Sequence, residues 1–221
     1  MILGYSQSIA GSRTIDCRSG PDRRRTQLPR ISYYPVERIE DPELRAILDH
    51  AARYGTPRPE SQAVRAHAPA TLRDFWWQWE RTFRNGVCDH AIKELCRVYV
   101  SKTVECGFCG AQRSTRARAE LEERDYDDLL DFEHSERYDE RQRAALAYTR
   151  AIAWNPDEAG DELWERLHAH FSDEELVELG YFVAVTFGQQ SWVRTLDIGH
   201  HEVLAGTDEG LAPTAVRAVA R

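Results

Sequence analysis

Two cysteines two residues apart, in Cys106-Gly107-Phe108-Cys109, are the side chains of this sequence best placed to do chemistry. A Cys-x-x-Cys pair opening a helix suits reversible dithiol–disulfide exchange. The spacing lets the sulfurs meet, while the free N–H groups and the positive dipole end favour a thiolate. The Ala- and Arg-rich run over 110–119 predicts that helix. On it Arg113, four residues past Cys109, would share a face with the second sulfur and hold its pKa below the ordinary value of about 8.5. Half of a zinc site is the competing use of such a pair. Zinc needs two more ligands in suitable spacing, and Cys88 with His90 offers only a loose second pair. Cys96 falls on an apolar stripe and reads as a small core hydrophobe; Cys17 and Cys88 carry no catalytic signal.

The elements that must position this pair read as helices throughout. Asp41-Pro42-Glu43 supplies a cap and an N-terminal Pro for a helix bearing Leu44, Ile47, Leu48 and Ala51, ended by Gly55 and Pro57. Pro69 starts a second, with Leu72, Phe75, Trp76, Trp79 and Phe83, stopped at Asn85-Gly86. That aromatic stripe reads first as core or subunit interface, and secondarily Trp76, Trp77 or Trp79 could line a substrate pocket. The next helix, 89–103, places Ile92, Leu95, Cys96, Tyr99 and Val100 on one stripe and Glu94 opposite it, on a face that composition alone would give to solvent. Twelve residues of straight helix span about 18 Å. Glu94 therefore cannot reach Cys106 unless the helix breaks or a second subunit supplies one of them, and Glu105 is the carboxylate nearest in sequence. Further helices are expected over 126–132, 139–154, 162–170 and 172–204, the last opened by a capping box of Ser172 and Glu175. No alternating β pattern, internal repeat or nucleotide loop appears. An all-α helical bundle buries such stripes naturally.

Glu94, Cys106 and Cys109 stand at the spacings of the pattern Glu, eleven residues, Cys-x-x-Cys, three residues, His. In this the chain resembles the redox-active branch of the carboxymuconolactone decarboxylase / alkylhydroperoxidase D-like superfamily. Arg113 takes the place of the pattern's His. The resemblance covers roughly residues 70–205 and implies an alkylhydroperoxidase D-like helical bundle, oligomeric as trimer or hexamer. It also implies a thiol-dependent peroxidase or disulfide oxidoreductase acting on hydroperoxides or small disulfides. Carried over, Cys109 is the peroxidatic thiol, Cys106 the resolving thiol and proton donor, and Glu94 assists proton movement. No cofactor or metal is implied; an external dithiol reductant, protein or cofactor, would reopen the disulfide. Guanidinium at 113 donates hydrogen bonds but relays no proton near neutrality.

The 221 residues, 42% hydrophobic and 30% charged, are enough for one well-buried domain, expected over 41–221. Residues 1–40 read as an N-terminal extension, a flexible arm whose first thirty residues carry a charge of +4, counting Arg against Asp. A net charge of −8 argues against nucleic acid or an anionic membrane as partner and leaves a small hydroperoxide or other organic substrate open. Five scattered cysteines and no apolar leader fit a reducing cytoplasm. Two other classes fit the same helices. One is non-redox decarboxylase-like or biosynthetic tailoring chemistry on a small organic substrate, with His134, His168, His170, His200 or His201 as base. The other is a binding or assembly protein with structural cysteines. Six Trp and nine Tyr exceed what one small core readily hides, which favours a homo-oligomer.

Overall fold

A computed structural model describes residues 29–203 and 208–219. Every regular element among them is helical, with a single isolated bridge between Gln112 and Leu211. In chain order the α-helices are α1 (Pro42–Tyr54), α2 (Pro59–Arg65), α3 (Pro69–Trp79), α4 (His90–Thr103), α5 (Gly107–Gly110), α6 (Glu140–Trp154), α7 (Asp161–His170), α8 (Asp173–Arg194) and α9 (Pro213–Val219). Helix α3 runs on into a π-helical turn, Glu80–Arg84.

Local chemistry starts and stops these helices much as the sequence indicates. The Asp41 carboxylate accepts the N–H groups of Glu43 and Leu44 at the head of α1, and Gly55 closes it in the left-handed region at φ 66°. A Cβ at Gly55 would stand 1.8 Å from the Glu209 carbonyl oxygen, so close backbone approach as well as φ demands glycine there. Asp89 caps α4, and Ser172 with Glu175 forms the capping box of α8. The helix expected to run to residue 204 ends at Arg194. The segment expected as a helix over 126–132 is a pair of 3-10 turns.

Helices α4, α6 and α8 pack on one another around the main core, with α7 against α6. The first three helices form a second layer, and residues 29–40 lie on it instead of standing free. Tyr33, Tyr34, Val36 and Ile39 pack there, and the backbone N–H of Tyr34 donates to Ala63 at 3.0 Å. The expected arm thus corresponds at most to residues before 29, which lie outside the described residues along with Cys17. Helix α4 is the shared wall: His90 through Ser101 are all buried. Its second face, given to solvent by composition, is covered by the segment that follows it.

Candidate active site

The covering segment begins with a reversal. Helix α4 ends at Thr103, and Glu105 takes a left-handed φ of 54° that doubles the chain back, so that Cys106 N–H donates to Ser101 O at 2.9 Å. The short helix α5 then runs back along α4 and brings residues 109–114 opposite Glu94. No second subunit is needed to bring this segment to Glu94.

Glu94, 0% exposed, is bonded on both oxygens. Arg97 Nε and Nη2 donate to it at 2.6 and 2.8 Å, and the backbone N–H of Ser114 donates at 2.8 Å. Arg97 also donates to the carbonyls of Cys109 (3.1 Å) and Gln112 (2.7 Å). A buried carboxylate and guanidinium thereby pin the cysteine segment to α4. Nothing in the sequence reading singled out Arg97. The available signal was its i+3 spacing from Glu94 on the same helix.

Cys106 is the N-cap of α5, and its sulfur accepts the Cys109 N–H at 3.4 Å. Both cysteines are buried free thiols. The Cys109 thiol donating to the Cys106 sulfur lowers the Cys106 pKa against the cost of burial, with the Cys109 N–H assisting. The same hydrogen bond and burial raise Cys109 well above the ordinary thiol value, although the guanidinium groups of Arg97 and Arg65 pull the other way. The sequence expectation of a depressed Cys109 is therefore reversed: Cys106 is the more acidic thiol of the pair. By contrast, burial pushes Cys88 and Cys96 up to about 12.

Arg113 also departs from expectation. The helix ends at Gly110 instead of extending over 110–119, because residues 210–212 capture its next backbone groups. Ala212 N–H donates to Ala111 O, and Arg113 N–H to Gly210 O, both at 2.8 Å. With the helical register gone, the Arg113 guanidinium pairs with Glu123 at 2.7 and 3.0 Å, donates to Gly110 O and lies over the Tyr126 ring. Arg97 and Arg65 are the leading cations acting on Cys109. Glu105 is exposed and pairs with Arg194.

A narrow cavity of about 40 Å³, within a depression of about 400 Å³, opens onto Cys109. Its walls are apolar and aromatic, from Phe75, Trp79, Phe108 and Val193, with Arg65, Arg97, Gln112 and the α8 residues Thr186, Gln189 and Gln190 among them. Of the tryptophans weighed as pocket residues, Trp79 lines this cavity, whereas Trp76 and Trp77 border a separate depression on the α1–α3 face. No histidine lines it: His134 is exposed beside Asp131, and His200 stacks on the outer side of Phe108 at 4.5 Å. His90 spends its nitrogens on Phe83 O and Ser114 Oγ. Among the described residues no group of three or more His, Cys, Asp or Glu stands close enough together to hold a metal, and no helix is long and apolar enough to cross a membrane.

No family model and no curated protein sequence matches the chain. Solved structures do. The debrominase Bmp8 superposes at a TM-score of 0.63 and 18% identity, over 81% of this chain and 94% of its own. A peroxidase-related protein from Ralstonia eutropha with an alkylhydroperoxidase AhpD core superposes at 0.67 and 18% identity, over 80% and 94%. A putative antioxidant defence protein AhpD from Agrobacterium tumefaciens does so at 0.54 and 21%, over 62% and 94%. The fold is that of the alkylhydroperoxidase D-like proteins, as the sequence resemblance implied.

Proposed function

We propose that this chain is a dithiol oxidoreductase in which Cys106 and Cys109 cycle between dithiol and disulfide, with small hydroperoxides as oxidant. The observation that carries this reading is the pair itself: two free thiols joined by an N-cap hydrogen bond, one of them facing a cavity. When the pair has lost one proton, the one that remains is on Cys109, the less acidic thiol. Its transfer to Cys106 turns the Cys109 thiolate toward the cavity, beside Arg65 and Arg97. That sulfur attacks the terminal oxygen of R–O–O–H and the O–O bond breaks. The leaving alkoxide takes the Cys106 proton and departs as alcohol, and Cys109 is left as sulfenic acid. The Cys106 thiolate then attacks the Cys109 sulfur and expels hydroxide, which solvent protonates to water. Two thiols of an external dithiol reductant, a protein or a cofactor, reopen the disulfide by exchange. A small disulfide would serve as oxidant by the same attack.

Glu94 acts in this scheme as a positioning residue through Arg97, since its oxygens are occupied by Arg97 and Ser114. Arg113 holds the loop against Glu123. The cytoplasm suits a thiol pair that must be re-reduced. Assembly as a homo-oligomer, trimer or hexamer, is supported by the exposure of Trp77, Trp154, Val177 and Tyr181. A monomer mass that does not change with concentration would overturn that part.

The aromatic walls and the likeness to a debrominase favour one second reading, in which a halogenated small aromatic replaces the peroxide. Cys109 would take the halogen, the ring carbon would take a proton, and Cys106 would displace halide to form the same disulfide. Thiol titration before and after addition of a hydroperoxide, with mass mapping, tests the main reading. The expected result is loss of two thiols and a Cys106–Cys109 disulfide. An unchanged thiol count overturns it, and halide release from a bromoaromatic with disulfide formation would favour the second.

A further inference from the structure

Arg65 is the last residue of α2 and has no carboxylate partner. It is 5% exposed, lines the cavity with Cys109, and donates to neutral oxygens: Ser61 O at 3.1 Å, Gln62 Oε1 at 3.3 Å and Gln189 Oε1 at 2.7 Å. Its guanidinium lies over the Phe75 ring at 3.8 Å and faces Trp192 at 5.1 Å. Among the described residues no acidic side chain approaches it to ion-pair distance; Glu60 on the same helix pairs with Arg58. Burial works against the Arg65 charge, and the one group that would act to retain it is Cys109 when it is ionised. A buried cation of this kind is costly unless an anion completes it.

The same cavity carries other unmet polar atoms. Trp79 Nε1, Thr186 Oγ1 and Gln190 Oε1 are buried, have no hydrogen-bond partner, and belong to residues lining it. Buried polar groups are ordinarily satisfied, so unsatisfied ones clustered around a cavity mark where a ligand's polar atoms go.

We infer that Arg65 is a substrate-recognition residue, and that the cavity takes a small organic molecule carrying a carboxylate close to its reactive centre. The carboxylate would pair with the guanidinium, with Trp79 Nε1 and Thr186 Oγ1 able to donate to its oxygens. The apolar remainder would lie along Phe75, Trp79 and Phe108, and the reactive atom would face the Cys109 sulfur. This rests on the proposal that Cys109 is the thiol that meets substrate, and it stands apart from whether a disulfide then forms.

Iodoacetate and iodoacetamide are of nearly one size and differ in charge, so they test the carboxylate directly. In a Cys106→Ser variant the cavity holds a single thiol, and alkylation at Cys109, located by peptide mass, proceeds without redox cycling. A charge-assisted hydrogen bond to Arg65 predicts an iodoacetate-to-iodoacetamide rate ratio raised roughly tenfold over that of a small free thiol. Adding Arg65→Gln should return the ratio to the small-thiol value, and Arg65→Lys should keep part of the gain. If the double variants do not fold, competition decides: acetate should slow alkylation by iodoacetamide, and acetamide should not. A ratio equal to that of a small thiol, a raised ratio that survives Arg65→Gln, or acetate and acetamide protecting alike would overturn the inference. A peroxide-insensitive wild-type pair with a raised ratio would overturn only the redox reading.

Discussion

Arg97 and Arg65 are buried guanidinium groups lining the same cavity, and they are finished in opposite ways. Arg97 meets a carboxylate through two hydrogen bonds and two carbonyls through two more. Arg65 meets only neutral oxygens and two aromatic rings. A fully partnered buried ion holds structure, because removing either member strands the other. A buried ion without its counter-charge leaves part of its interaction to be made with something else. The difference separates a clamp from a receptor within one site.

Replacement of each arginine by methionine should break this comparison if it is mistaken. Arg97→Met strands Glu94 in the core and frees the 109–114 segment, at a cost of about 3–5 kcal/mol. Glu94→Gln should cost a comparable amount by stranding Arg97. Arg65→Met removes an unpaired charge and substitutes a shape that packs on Phe75, so it should cost less than about 1.5 kcal/mol. Urea unfolding of the three variants measures this. Equal losses for Arg65 and Arg97 would show that Arg65 is a structural clamp too.

The next effect in size concerns Arg113, which the sequence placed at Cys109 and the fold places elsewhere. Its part-buried pair with Glu123 and its position over Tyr126 predict a loss of about 1–2 kcal/mol for Arg113→Ala. The pH dependence of Cys109 alkylation should stay where it is. A Cys109 profile displaced upward in that variant would restore Arg113 to the thiolate.

How far the sequence carries can be read from these three arginines. A helix with a cap and a one-sided stripe, such as α1, is legible because backbone capping and burial point the same way. Helix α2, which delivers Arg65, is not: in Pro-Glu-Ser-Gln-Ala-Val-Arg every residue is buried, charged ones included, so no stripe exists to find. The link it occupies reads as a polar connection. Glu94 and the cysteines were legible as a pattern of spacings. The contact of the cysteine segment with α4 was not, because it depends on a left-handed turn at Glu105, a residue type that gives no local sign of one. The helix wrongly expected over 110–119 failed for a long-range reason, since residues a hundred positions later take its hydrogen bonds.

Thiol reactivity sharpens the contrast between site and core at smaller amplitude. In the native protein near neutral pH, Cys106 should be alkylated first, whereas Cys88 and Cys96, pushed up to about 12 by burial, should resist until the chain unfolds. Cys109→Ala removes the side-chain donor and should move the Cys106 profile upward. A Cys106 that reacts no faster than Cys96 would mean that the N-cap does not hold a thiolate.

The smallest effect compares two histidines, each kept neutral by burial, one at the site and one away from it. His200 stacks on Phe108 inside the Cys-x-x-Cys segment, and burial, Arg58 and His201 bring its pKa down to about 4. His50 meets Trp76 edge to face in the α1–α3 layer, and burial with Arg84 and Arg53 brings it to about 4 as well. In the unfolded chain both would titrate near 6.5. Between those values the unfolded state binds protons that the folded state refuses, so stability is complete above about pH 6.5 and falls as the pH drops toward about 4. Both side chains keep some contact with solvent, which limits each contribution to the order of 1 kcal/mol. His200→Gln and His50→Gln should therefore flatten the acid limb of the stability curve about equally, as followed by urea midpoints from pH 7 to pH 4. Only His200→Gln should also change how Cys106 alkylation responds to acid, because a proton on His200 is placed against the ring that leads into the thiol pair. Equal alkylation profiles in the two variants would show that the Phe108–His200 stack is packing alone and that the site stops at Phe108.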